Sequence, residues 1–60
     1  MAKHFSPKAA KLISHNARQI AWAIDRLDTL KKAPFIYLLE KAGITGKTAN
    51  AIAEAIWMIL

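Results

Sequence analysis

The stretch FIYLLEKAGITGKTANAIAE, residues 35–54, determines the fold expected for this chain. Its apolar spacing predicts two helices, over residues 34–42 and 46–60. Gly43 is the residue type that most often follows the end of a helix, and Thr45 is a favoured N-cap for the next one. A short joint between two helices is typical of compact helical proteins, so the stretch indicates an all-α fold.

The N-terminal part of the sequence adds one long helix, predicted over residues 7–32. Pro7 suits a first helical position, and Pro34 disfavours the helical region at the residue before it. Apolar residues between them recur three and four positions apart and share one face: Ile13, Ala17, Ile20, Ile24 and Leu27. We therefore expect a single helical domain over residues 1–60, a compact bundle of three to four helices.

Composition limits the classes of function. The 60 residues contain no cysteine, and nine Lys or Arg against four Asp or Glu give a net charge of +5. Residues 1–32 hold the whole positive excess. A basic surface indicates a partner that carries phosphate, either anionic lipid or nucleic acid. A chain this short has a small core, and without cysteine it has no disulfide and no thiolate metal site.

The titratable residues do not form a catalytic pattern. His4 and His15 have no third ligand at metal spacing, and Asp25 and Asp28 lie among Arg and Lys as surface ion pairs. Residues 43–48 contain Gly, Lys and Thr but lack the spacing of a phosphate loop. The sequence therefore predicts no enzyme, no cofactor and no metal site.

Basic and aromatic residues together favour a membrane partner. Each Lys or Arg near an anionic surface contributes about 1 kcal/mol of attraction, and Trp favours the membrane–water interface. Trp22 lies on the polar face between Arg18 and Arg26, where a cation–π contact and burial under another helix are both open. No segment reaches the roughly 20 apolar residues of a membrane span. The predicted membrane-binding residues are Lys8, Lys11, Arg18, Lys31, Lys32, Trp22 and Trp57.

The last six residues, Ala55–Leu60, are apolar on every side of the predicted helix. The last turn of a helix usually carries cationic or polar residues. Three explanations are open: the segment docks into a partner or another copy, it inserts into a membrane, or Leu60 is joined to Met1.

The start of the chain, Met1-Ala2-Lys3-His4-Phe5 followed by Ala9-Ala10, resembles the start of the enterocin-type circular bacteriocins. The resemblance implies a secreted, cationic helical bundle of saposin-like shape that permeabilises bacterial membranes. It also implies ligation of Met1 to Leu60 inside a helix that runs from about residue 46 across the junction. A linear, leaderless bacteriocin is the alternative.

The basic and aromatic residues together with this resemblance predict an antimicrobial peptide that binds anionic lipid at the target cell membrane. Secretion is what the resemblance implies, and association with further copies in the membrane is left open. Two other classes of function stay open. Residues 35–54 are compatible with a DNA-binding helix-turn-helix. Its groove-facing residues would be Gly46, Lys47, Asn50 and Glu54, of which Lys47 alone is a cation. The second is a helical subunit whose apolar C-terminus docks into a partner.

Overall fold

A computed structural model describes residues 7–59, which form four helices and no strand. The helices are α1 (Pro7–His15), α2 (Ala17–Arg26), α3 (Lys32–Lys41) and α4 (Gly46–Ile59). The prediction of an all-α bundle is confirmed. Pro7 is the first described residue of α1, and its fixed φ and missing N–H suit the first turn of a helix.

The prediction of one continuous helix over residues 7–32 is wrong, because the chain leaves the helical conformation at Asn16 and again after Arg26. Asn16 has φ −113° and ψ 26°, and its side-chain amide donates to the Leu12 carbonyl at 2.8 Å. An asparagine that bonds the nearby backbone competes with helical hydrogen bonds, so α1 ends at His15. Leu27 is extended, with φ −75° and ψ 129°, and residues 27–31 form a loop.

This loop moves Lys31 and Lys32 from the predicted end of one helix to the start of the next. Lys31 is the N-cap of α3 and Lys32 is its first residue, where the positive end of the helix dipole disfavours a cation. Lys32 Nζ lies 3.8 Å from Glu54 Oε2, an exposed ion pair that offsets part of this cost. Pro34 lies within the first turn of α3, so the predicted start at residue 34 was two residues late.

The turn between α3 and α4 forms as predicted. Gly43 has φ +104°, and its N–H donates to the Glu40 carbonyl at 3.0 Å. The Ile44 N–H donates to the Leu39 carbonyl at 3.1 Å. This pair of bonds is a Schellman motif, which places the apolar residues on either side of the turn together. Ile44 and Leu39 both belong to the core.

The core is built mainly from α2, α3 and α4. Ala49, Ile52 and Ala53 are buried on α4, whereas the apolar face predicted on the first helix is buried only in part. Ile24 is 49% exposed, and the buried residues of α2 are Ile20 and Ala23. The buried cluster consists of Ile20, Ala23, Phe35, Leu39, Ile44, Ala49, Ile52 and Ala53.

Helices α3 and α4 run side by side in opposite directions. The ring centroids of Phe35 and Trp57 are 5.3 Å apart, and the Lys32–Glu54 ion pair also joins the N-terminal half of α3 to the C-terminal half of α4. These contacts lie far from the Gly43 turn along both helices. The loop before α3 therefore lies at the same end of the bundle as the C-terminal end of α4.

Helix α1 is also antiparallel to α4. Lys8 and Met58 line one groove between these helices, and His15 and Thr48 line another. The beginning of α1 is thus beside the end of α4. Three parts of the chain meet at one end of the bundle: the beginning of α1, the loop of residues 27–31 and the end of α4.

Candidate functional site

The basic residues predicted to bind a membrane are spread over three helices and a loop. Lys8, Lys11, Arg18 and Lys31 are exposed and form no ion pair with any residue between 7 and 59. Lys32 is half-buried and paired with Glu54. The four unpaired cations remain available to an anionic partner, whereas Lys32 already has a carboxylate beside it.

Trp22 shows both of the contacts that its sequence position left open. Its side chain is half-buried and packs against the core cluster. The Arg26 guanidinium carbon lies 4.2 Å from the ring centroid, which is a cation–π contact. Because both contacts hold the ring, Trp22 is less free to enter a lipid interface than its place on the polar face indicated.

Trp57, the second predicted anchor, is also half-buried. Its ring packs against Phe35 with an angle of 40° between the ring planes, and it contacts the core cluster. Part of its ring already has an apolar environment within the protein. The side chains that follow it, Met58 and Ile59, are 53% and 65% exposed.

The end of the bundle where three segments meet carries exposed apolar side chains. Leu30 in the loop is 59% exposed, and Met58 and Ile59 end α4. We call Leu30, Met58 and Ile59 the apolar end. Lys31 follows Leu30 in the chain, and Lys8 lines a groove together with Met58. Two unpaired cations therefore lie beside exposed apolar surface.

Sequence reasoning found only part of this surface. It singled out the apolar residues from 55 onward, but it placed Leu30 inside a helix that was predicted over residues 7–32. The surface as a whole depends on the antiparallel packing of α1 and α3 on α4, which local sequence patterns do not predict. The predicted ligation of Met1 to Leu60 lies outside the residues that the structure describes.

The titratable side chains of the described residues are dispersed. Between residues 7 and 59, no three His, Asp or Glu side chains are grouped closely enough to hold a metal ion. Asp25 Oδ2 is 3.9 Å from the Arg26 guanidinium, and both side chains are exposed. Within the same range, every helix is too short or too polar to cross a membrane.

The groove-facing side of the alternative helix-turn-helix has few side chains that are free to contact DNA. The Asn50 amide donates to the Gly46 carbonyl at 2.8 Å, so it is held by its own helix. Glu54 is acidic and paired with Lys32. Lys47 is the one cation in α4. A recognition helix normally presents several free donors to the base edges and phosphates, and α4 offers few of them.

The family model described as "Uncharacterised protein YqxI" matches residues 1–60. No curated protein and no solved structure matches the chain significantly.

Proposed function

We propose that this chain, which belongs to the YqxI family, is an antimicrobial peptide that binds anionic bacterial membranes and permeabilises them. The observation that carries the proposal is the apolar end. Leu30, Met58 and Ile59 are each more than half exposed, and Lys8 and Lys31, which form no ion pair with a described residue, lie at the same end of the bundle. Exposed apolar side chains beside cations are the two components of interfacial binding to anionic lipid.

The energetics of this surface support lipid binding. Full burial of a Leu, Ile or Met side chain stabilises by about 1.5–3 kcal/mol. Insertion into lipid can gain only the share of this free energy that belongs to the exposed part of the side chain. Each nearby lysine adds about 1 kcal/mol at an anionic surface. In the proposed mechanism, Lys8 and Lys31 attract the headgroups, and the apolar end then enters the boundary between headgroups and acyl chains. Several copies that insert in this way would disturb the bilayer and release its contents.

The resemblance of the first ten residues to enterocin-type circular bacteriocins supports the antimicrobial part of the proposal, together with secretion and a joined backbone. Ligation of Met1 to Leu60 removes one water molecule. An intact mass lower than that of the linear chain by one water supports the circular form. An intact mass equal to the linear value assigns the leaderless linear form instead.

Dye release from vesicles tests the function. We expect the chain at micromolar concentration to release dye from phosphatidylglycerol vesicles and to release much less from phosphatidylcholine vesicles. Ile59→Ser should weaken release by about 5- to 30-fold, since it removes about 1–2 kcal/mol of apolar insertion. Ile24→Ser is the control for residue type, because it replaces a 49% exposed isoleucine of α2 and leaves Leu30, Met58 and Ile59 in place.

Two results would overturn the proposal. The first is the absence of release from anionic vesicles at micromolar concentration. The second is an equal loss of release in both serine variants, which would show that the apolar end has no special role. In that case, a duplex-DNA shift lost on Lys47→Ala would favour the nucleic-acid alternative, and an obligate oligomer without lipid binding would favour the docking subunit.

A further inference from the structure

A second surface of the molecule is a groove between α1 and the turn that joins α3 to α4. Its volume is about 590 Å³, within the general size range of small-ligand sites. Leu12 and Ile44 provide apolar lining. Lys8, Lys11 and His15 line it from α1, and Thr48 lines it from α4. We call this the headgroup groove.

The charge of the headgroup groove has one sign. Lys8, Lys11 and His15 follow one another at i, i+3 and i+7, so they lie along one side of α1. None of the side chains that line the groove, within residues 7–59, is acidic. Lys8 and Lys11 have no ion pair with a described residue. The occupant that complements this lining electrostatically is an anion.

The opposite wall adds a hydrogen-bond donor. Thr45 caps α4 as predicted, because its Oγ1 accepts the Thr48 N–H at 3.4 Å. The Thr45 and Thr48 hydroxyl oxygens are 3.1 Å apart, and both side chains line the groove. The groove therefore combines cations on one side, a hydroxyl donor on the other and an apolar lining.

We propose that the headgroup groove binds the phosphate of an anionic phospholipid. Lys8, Lys11 and His15 surround the phosphate, and the part of an acyl chain next to the glycerol packs over Leu12 and Ile44. The apolar lining is the reason to assign a lipid and not a bare phosphate ion. This inference rests on the proposed function for its class of ligand. It adds a defined site for one lipid molecule, next to the groove in which Lys8 and Met58 lie.

The test uses dihexanoyl phosphatidic acid below its micelle concentration, so no bilayer is present. Titration followed by amide chemical shifts should saturate at one lipid per chain, with the largest changes at Leu12, Ile44 and Thr48. We expect Lys11→Gln to weaken binding about fivefold, the effect of one lysine–phosphate attraction. Lys47→Gln is the matched control, because it removes the same charge from an exposed position outside the groove.

Parallel titrations identify the ligand. Inorganic phosphate and dihexanoyl phosphatidylcholine should each bind at least about tenfold more weakly, which is about 1.4 kcal/mol. Equal affinity for inorganic phosphate would overturn the assignment to lipid. An equal loss in the Lys11 and Lys47 variants would overturn the site itself. Saturable binding without vesicle leakage would support this lipid site and contradict the proposed function. Leakage without saturable binding would support the proposed function and contradict this lipid site.

Discussion

At the level of single residues, the two tryptophans are held by different neighbours. Trp22 lies between the core and the Arg26 guanidinium, and Trp57 packs against Phe35. Aromatic pairs of this kind contribute about 0.5–1.5 kcal/mol beyond the area they bury. In a chain of 60 residues, both rings therefore serve the stability of the bundle, and the exposed residues of the apolar end are better placed to enter lipid.

The contribution of a core residue can be measured with a pair of identical substitutions. Ile52 is 0% exposed and Ile24 is 49% exposed. Ile52→Val should lower the free energy of unfolding by about 0.5–1.5 kcal/mol, because it leaves a methyl-sized gap in the core. Ile24→Val should change it by less than about 0.5 kcal/mol. Urea unfolding followed by circular dichroism measures both, and equal effects would contradict the burial of Ile52.

At the level of elements, the turn of residues 42–45 determines how α4 returns along α3. Gly43 has φ +104°, and a Cβ at this position would meet no atom within 4 Å. The cost of a side chain there is therefore conformational. Gly46 has an ordinary φ, and a Cβ would meet only Glu40 Oε2 at 2.7 Å, the flexible end of an exposed side chain.

These two glycines give a second matched pair. Gly43→Ala should destabilise the protein by about 1–2 kcal/mol, since alanine is strained at positive φ. Gly46→Ala should be neutral or stabilise by up to about 0.5 kcal/mol, because alanine favours the helical conformation and Glu40 can move aside. Thermal unfolding of both variants checks this. A larger loss for Gly46→Ala would show that this turn has another conformation in solution.

The same elements show which structural features local sequence patterns predict. Gly43 and Thr45 were assigned correctly because a Schellman turn and an N-cap depend on residues a few positions apart. The break at Asn16 had a weak local signal, since Ser14, His15 and Asn16 all have modest helix propensity. The loop of residues 27–31 contains no Gly or Pro, and apolar periodicity continues across it. The candidate site depends on contacts between α1, α3 and α4, so its cations were predicted but their grouping was not.

At the scale of the whole molecule, the positive charge lies beside two different surfaces. Lys8 lines the headgroup groove and also the groove that contains Met58. The two surfaces therefore meet along α1. Lys31 follows Leu30 of the apolar end in the chain, whereas Lys47 lies in the first turn of α4. Because a 14-residue helix is about 20 Å long, Lys47 and the apolar end are at opposite ends of the bundle.

This separation predicts that position, and not net charge alone, controls membrane binding. Lys31→Gln and Lys47→Gln lower the net charge by the same amount. At about 0.1 M salt the Debye length is about 10 Å, so a charge about 20 Å from the bilayer contributes little. Lys31→Gln should weaken binding to phosphatidylglycerol vesicles about fivefold, and Lys47→Gln less than about twofold.

At about 1 M salt, where the Debye length is about 3 Å, both variants should bind like the unmodified chain. Vesicle sedimentation at the two salt concentrations measures this, and an equal loss at about 0.1 M would mean that the apolar end does not face the membrane.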